Sequence, residues 1–257
     1  MNSEFLIVDG VTKRFGGLQA LGGDGGLSFT VPRGTFLGLI GPNGAGKSTT
    51  FNVISGVTKP DTGAVYLDGQ NLSETRTPEI AAHGLGRTFQ TPRAFPSLSI
   101  LENVIVGADS AGERLGAVLS GRWRRDEPKL KEKAAAVLNR VGLGSRMTGS
   151  VASLSGGELR MLEVARQLVR DPKILLLDEP TAGVDPSLQG KLSEILARLH
   201  EDGTTLIVVE HNLHFLLRIA DTVVVLQNGE LLAQGSPQAI RSDEKVVAAY
   251  LGNDHAA

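Results

Sequence analysis

Residues 41–49 read Gly41-Pro42-Asn43-Gly44-Ala45-Gly46-Lys47-Ser48-Thr49, and this run constrains the fold more than any other in the chain. It satisfies G-x-x-x-x-G-K-[ST]. An unbroken apolar run, Phe36 to Ile40, stands before it, and a helical pattern from Lys47 to Ile54 follows. Glycines let backbone N–H groups turn inward around phosphate oxygens, where a Cβ would clash. A helix starting near Gly46 adds its positive dipole end. Lys47 offers a point charge to the β- and γ-phosphates, and Ser48 a hydroxyl to Mg²⁺. A glycine turn ending in Lys-Ser by coincidence would have no reason to sit between a strand and a helix. The run points to a purine nucleoside triphosphate.

The same alternation continues along the chain. Ile174 to Leu177 and Thr205 to Val209 are short, continuous apolar runs, the habit of strands buried on both faces of a parallel sheet. Asp68-Gly69 and Asn228-Gly229 are hairpin signals that add antiparallel strands near an edge. From about Leu101 to Arg146 strand runs give way to charge, and Ala134, Val137, Leu138 and Val141 share one helical face. The expected fold is α/β: a mainly parallel sheet with an antiparallel β subdomain and an inserted helical subdomain. Residues 1–90 and 165–257 are expected to form the nucleotide-binding core, with 91–164 as the helical insertion. The GGDGG segment, Gly22 to Gly26, reads as a flexible hairpin or loop between early strands.

Two further segments carry chemistry. Ile174 to Glu179 is a strand that delivers Asp178 and Glu179 at its C-terminal edge, where open α/β sheets bind ligands. Asp178 suits a Mg²⁺ shell, and Glu179 can polarise an attacking water. Leu154-Ser155-Gly156-Gly157-Glu158 contains a capping box, Ser155 with Glu158, which starts a helix running through Arg160 to Val169. Its N-terminus, with two glycines, is a second place for a phosphate.

Composition narrows the class. The chain of 257 residues has no cysteine, so it has neither a disulfide framework nor a thiolate metal site. A net charge of −2 supplies no global field for nucleic acid, and none is expected as a partner. Apolar runs are far too short to span a bilayer, and the N-terminus does not read as a secretory signal, so a soluble chain is expected.

With these elements in this order, the sequence resembles the ABC ATPases from about Val8 to Leu251. The resemblance matches Phe15 to the aromatic that stacks on adenine, Gln90 to the glutamine loop, and Ala182 to Asp185 to the D-loop. His211 matches the switch histidine. It implies ATP and Mg²⁺ as ligands, with Glu179, His211, Gln90 and Lys47 catalytic, and Ser48, Gln90 and Asp178 around the metal. Ser155, Gly156, Gly157 and Glu158 of one chain would meet the nucleotide held by a second. The implied assembly is a homodimer, or a heterodimer with a sister ATPase, on two integral membrane permease subunits. It would lie at the cytoplasmic face of the membrane, served indirectly by a solute-binding protein. Phe95, Leu98 and Ile100 lie where the family docks its permeases, and they serve equally well as core of the helical lobe.

A narrower resemblance is to the ATPase subunits of branched-chain amino-acid importers. It rests on Arg14 to Leu21, Gly86 to Gln90, Arg122-Trp123-Arg124-Arg125, Leu159 to Gln167 and Tyr250-Leu251-Gly252. Related importers of urea and short amides share much of this pattern, and a detached exporter motor of the lipopolysaccharide kind is the other alternative. Two segments depart from it: Gly156, where close relatives often carry an aromatic or histidine, and Gly22 to Gly26, which replaces a more apolar stretch. A translation ATPase would carry two cassettes, and a chromosome ATPase would place a long coiled coil between Thr49 and Leu154; neither fits this chain.

Overall fold

The computed structural model describes residues 4–88, 94–108 and 123–251. They fall into two compact units, one of residues 1–87, 173–180 and 197–257, the other of 88–172 and 181–196.

The first unit holds two sheets. β1 (Glu4–Phe15) is the spine of an antiparallel sheet, paired with β2 (Leu18–Leu21), β3 (Leu27–Pro32) and β5 (Thr62–Leu67), with β6 (Gln70–Asn71) at its edge. Leu6 lies opposite both Val31 and Leu67, and all three are buried, so one face of this sheet is core. The second sheet has the order β11-β10-β4-β9-β8-β7. It is formed by β4 (Phe36–Ile40), β7 (Leu85–Arg87), β8 (Ile174–Asp178), β9 (Thr205–Val209), β10 (Thr222–Gln227) and β11 (Glu230–Gly235). All its pairings are parallel except β10 with β11, where Asn228-Gly229 closes the expected hairpin. Every residue of β4, β8 and β9 is buried, as their continuous apolar runs require. Register then decides where chemistry appears. Leu39 and Asp178 both pair with Val209, so the chain leaves β4, β8 and β9 at one edge. The helices α1 (Lys47–Ile54) and α2 (Thr77–Ala82) complete the sequence up to β7.

The second unit is helical. α3 (Ile100–Gly107), α4 (Trp123–Arg140) and α5 (Gly156–Leu168) pack together, and α6 (Pro186–Glu201) begins within it. Ala134, Val137, Leu138 and Val141 are buried, as their spacing predicts, and so are Leu162, Ala165, Leu168 and Val169. The first unit also carries α7 (Leu213–Ile219), α8 (Pro237–Ser242) and α9 (Glu244–Leu251).

Three expectations change here. The division at 164/165 falls inside α5, whose hydrogen-bond ladder runs on to Leu168; the units part at 172/173, and residues 181–196 return to the helical one. Ile100 is fully buried, so it is core of the helical unit rather than docking surface, whereas Phe95 is 44% exposed. Gly22 to Gly26 is a tight turn rather than a flexible loop: Gly26 N–H donates to the Gly22 carbonyl at 3.0 Å, and Gly22 is buried.

Candidate functional site

The phosphate loop follows β4 directly and ends in α1, with Gly46 at the N-cap. α1 has no side-chain cap and no acid in its first turn, so its first N–H groups and dipole are available to an anion. Lys47 is 6% exposed, and its ammonium donates to the carbonyls of Gly41 at 2.7 Å and Pro42 at 2.9 Å. Burial lowers its pKa, while Glu179 and Asp178 act in the opposite direction, so both acids lie within electrostatic reach of the loop. Ser48 is exposed at the start of the helix.

Asp178, the last residue of β8, is buried. Arg87 reaches it from β7, with Nη2 at 3.7 Å from a carboxylate oxygen. The same guanidinium donates to Ser55 Oγ at 2.6 Å and lies 5.9 Å from the Phe51 ring centroid, which ties Asp178 to the far end of α1. Burial lowers the Arg87 pKa, and Asp178 counters it. Glu179 follows in a left-handed conformation, φ 47°, which is uncommon for a side chain and concentrated at functional sites. Its N–H donates to the Val209 carbonyl at 2.9 Å, extending the β8–β9 pairing by one step. Its carboxylate lies 2.9 Å from His211 Nε2. His211 stands on the turn between β9 and α7, where Asn212 caps the helix by accepting from Phe215 N–H. The lysine, both acids and the histidine therefore emerge from neighbouring strands of one sheet.

Phe15 ends β1 half-exposed, with the Lys13 ammonium 5.7 Å from its ring centroid. Gln90 lies outside the described residues, as do Arg122 and Gly252. Among the described residues no cluster of three or more His, Cys, Asp or Glu side chains could hold a metal. The hydroxyl of Ser48 and the carboxylate of Asp178 are oxygen donors of the type that suits Mg²⁺ shared with phosphate oxygens.

The second unit contains the capped helix. Ser155 Oγ accepts from Glu158 N–H, and Glu158 in return accepts from Ser155 N–H at 2.9 Å. Arg146 donates to Glu158 at 2.6 Å and to the Ser153 carbonyl at 2.8 Å. The Ser155 N–H bond, first of several, holds the Glu158 carboxyl below its usual range. Glu158 is thus committed to the cap, while Ser155 and Gly156 are exposed at the helix start. A Cβ on Gly156 would stand 3.1 Å from the Gly183 carbonyl, and one on Gly157 would stand 3.3 Å from the Val184 side chain. The segment ending in exposed Asp185 is therefore packed directly on the two glycines.

Three contributors escaped the sequence reading. Arg87 and Arg146 lie in matched or marginal stretches with no motif of their own. Tyr250, on α9, is pushed up to about 12 by burial, with the Gly41 backbone N–H acting against that shift, which puts the tyrosine beside the start of the phosphate loop.

A phosphate loop, an acid pair answered by a histidine, and a separately capped glycine helix define an ABC-type ATPase. The family model described as ABC transporter matches residues 25–182, and this chain belongs to that family. A second model, described as branched-chain amino acid ATP-binding cassette transporter, matches residues 230–256. The probable branched-chain amino acid transport ATP-binding protein LivG of Archaeoglobus fulgidus is 36% identical over 249 residues, covering 97% of this chain and 96% of that protein. A solved ATP-binding cassette of an ABC transporter, in its ADP conformation, is 34% identical with a TM-score of 0.83, over 97% of this chain and 99% of that one. A dimeric cassette bound to ADP and phosphate is 28% identical with a TM-score of 0.72, over 90% of this chain and 98% of that one.

Proposed function

We propose that this ATPase drives solute import, most plainly of branched-chain amino acids, and that Lys47, Asp178, Glu179 and His211 carry its hydrolytic chemistry. The observation that carries the chemical reading is Glu179, held in a left-handed turn with its carboxylate 2.9 Å from His211 at the edge where the phosphate loop also emerges. The backbone of residues 41–49 and the Lys47 ammonium bind the phosphates. Ser48 and Asp178, with Gln90, would hold Mg²⁺, which when bound neutralises charge on the β- and γ-phosphates. Arg87 keeps Asp178 in place. Glu179 accepts a proton from the attacking water, and His211 orients that carboxylate. Phe15 offers a face to adenine.

Ser155, Gly156 and Gly157 sit at an exposed, capped helix start and complete the site of a second ATPase subunit, identical or a sister chain, in a two-fold pair. Two membrane permeases hold that pair at the cytoplasmic face, and a solute-binding protein delivers cargo from the other side. No helix among the described residues is long and apolar enough to cross a membrane, which agrees with a peripheral subunit. The solute is read from the relatives, whose descriptions are of branched-chain amino acid transport. The test is reconstitution of the chain with a pair of candidate permeases in vesicles. Leucine-loaded binding protein should stimulate ATP hydrolysis; stimulation by a urea-loaded protein instead would overturn the amino-acid reading.

A further inference from the structure

Behind the phosphate loop, three turns of the first unit meet backbone to backbone. Gly229 N–H donates to the Ala45 carbonyl at 3.1 Å, and Gly22 N–H donates to the Gly229 carbonyl at 2.7 Å. Gly22 and Gly229 are both buried. Neither position has room for a side chain: a Cβ on Gly229 would stand 2.6 Å from the Ala20 carbonyl, and one on Gly22 would stand 2.2 Å from the Val11 carbonyl. Both residues have positive φ, 81° and 79°. The loop presses back equally closely. A Cβ on Gly46 would meet Ala20 O at 2.9 Å and Gly229 Cα at 3.3 Å, and one on Gly41 would meet Leu226 O at 2.3 Å.

This contact has a direction. In a trans peptide the C=O and the following N–H point opposite ways, and none of the described peptides is cis. Holding the Ala45 carbonyl from behind therefore turns the Gly46 N–H away from the hairpin, toward the inside of the loop. The next peptide, Gly229–Glu230, is held in turn by Gly22 through its carbonyl. We infer that Gly229 and Gly22 are positioning residues for nucleotide: they fix the Ala45–Gly46 peptide plane so that its N–H is aimed before phosphate arrives. The inference rests on reading residues 41–49 as the phosphate site. It also gives the GGDGG turn a task, since only a residue without a Cβ can close this stack.

ADP is the probe, with affinity measured by calorimetry. Gly229→Ala should raise the ADP Kd about tenfold or more, the scale of one well-placed hydrogen bond, and Gly22→Ala by a smaller factor. Gly25→Ala, in the same turn but with open space at its Cβ position, should change nothing. Gly107→Ala forces a comparable backbone clash, 2.5 Å from the Arg166 carbonyl in the helical unit. It should lower the melting temperature while leaving ADP affinity at the parent value, which a general loss of stability could not separate. Parent-like ADP affinity in folded Gly229→Ala and Gly22→Ala overturns the inference, as does an equal loss in Gly107→Ala. Should the first two variants fail to fold, amide exchange on the unmodified chain decides. The Gly22 and Gly229 amides should slow when ADP binds, and unchanged exchange rejects the role. Lys47→Ala separates the two levels, since undiminished ADP affinity there removes the phosphate-loop reading and this inference with it.

Discussion

Glu179 occupies a left-handed conformation that costs a non-glycine residue about 1–3 kcal/mol. The β8–β9 pairing holds it there through its N–H, so shape and charge can be separated by mutation. Glu179→Gln should keep the turn and ATP binding while turnover falls ~10²-fold or more, measured as phosphate release. Lys47→Ala should abolish turnover and weaken ATP binding, because the loop loses its side-chain charge and leaves two carbonyls without their donor. Tyr250 makes a different prediction. Its hydroxyl is an acid whose pKa is raised from 10.0 to about 12 by burial. The folded chain therefore keeps a proton that the unfolded chain releases, and the contribution is complete below pH 10 and lost as pH rises toward 12. Allowing for partial exposure, it amounts to about 1–2 kcal/mol. Denaturant midpoints for the parent and Tyr250→Phe should keep a constant difference below pH 10, and the parent should fall relative to the variant as pH rises from 10 toward 12.

At the scale of elements, the turn before α3 is organised by one side chain. Asn103 is fully buried, accepts from Phe95 N–H, and donates to the carbonyls of Phe95, Leu98 and Ser99. Asn103→Ala would strand those groups and should cost about 2–3 kcal/mol of stability, readable in urea denaturation. Because Asn103 fixes this backbone, the Phe95 side chain is free to serve another purpose. It is 44% exposed with the Arg166 guanidinium 5.2 Å from its ring centroid. Phe95→Asp places a carboxylate near that arginine, so the unit should stay folded and retain ATPase activity while co-purification with the permeases is lost. Retention of both would move the docking site elsewhere.

For the whole molecule, the proposed site is complete only when Ser155 of another chain is present. The isolated chain should therefore be a weak ATPase whose rate per chain rises with concentration, and permease binding should remove that dependence by holding two copies together. Sedimentation of Glu179→Gln gives the direct test: a dimer with ATP and a monomer without it. A monomer under both conditions counts against the paired site.

What the sequence determined by itself is chemistry that acts over a few residues. The phosphate loop, the Ser155–Glu158 capping box, the buried runs of β4, β8 and β9, and the Asn228-Gly229 hairpin depend on φ preferences, local hydrogen bonds and side-chain period. The resemblance extended that to Phe15, Asp185 and His211 through order along the chain. What only the tertiary structure decided are pairings across long separations. Arg87 on Asp178, Arg146 on Glu158, Tyr250 beside Gly41, and Gly22 through Gly229 to Ala45 depend on which strands and turns become neighbours, and in what register. A glycine cluster carries no periodicity and no charge from which to read a partner. Missing Cβ atoms signal permission to approach without naming what approaches: here the Val11 carbonyl, and through the Gly22 N–H the Gly229 carbonyl from more than two hundred residues away.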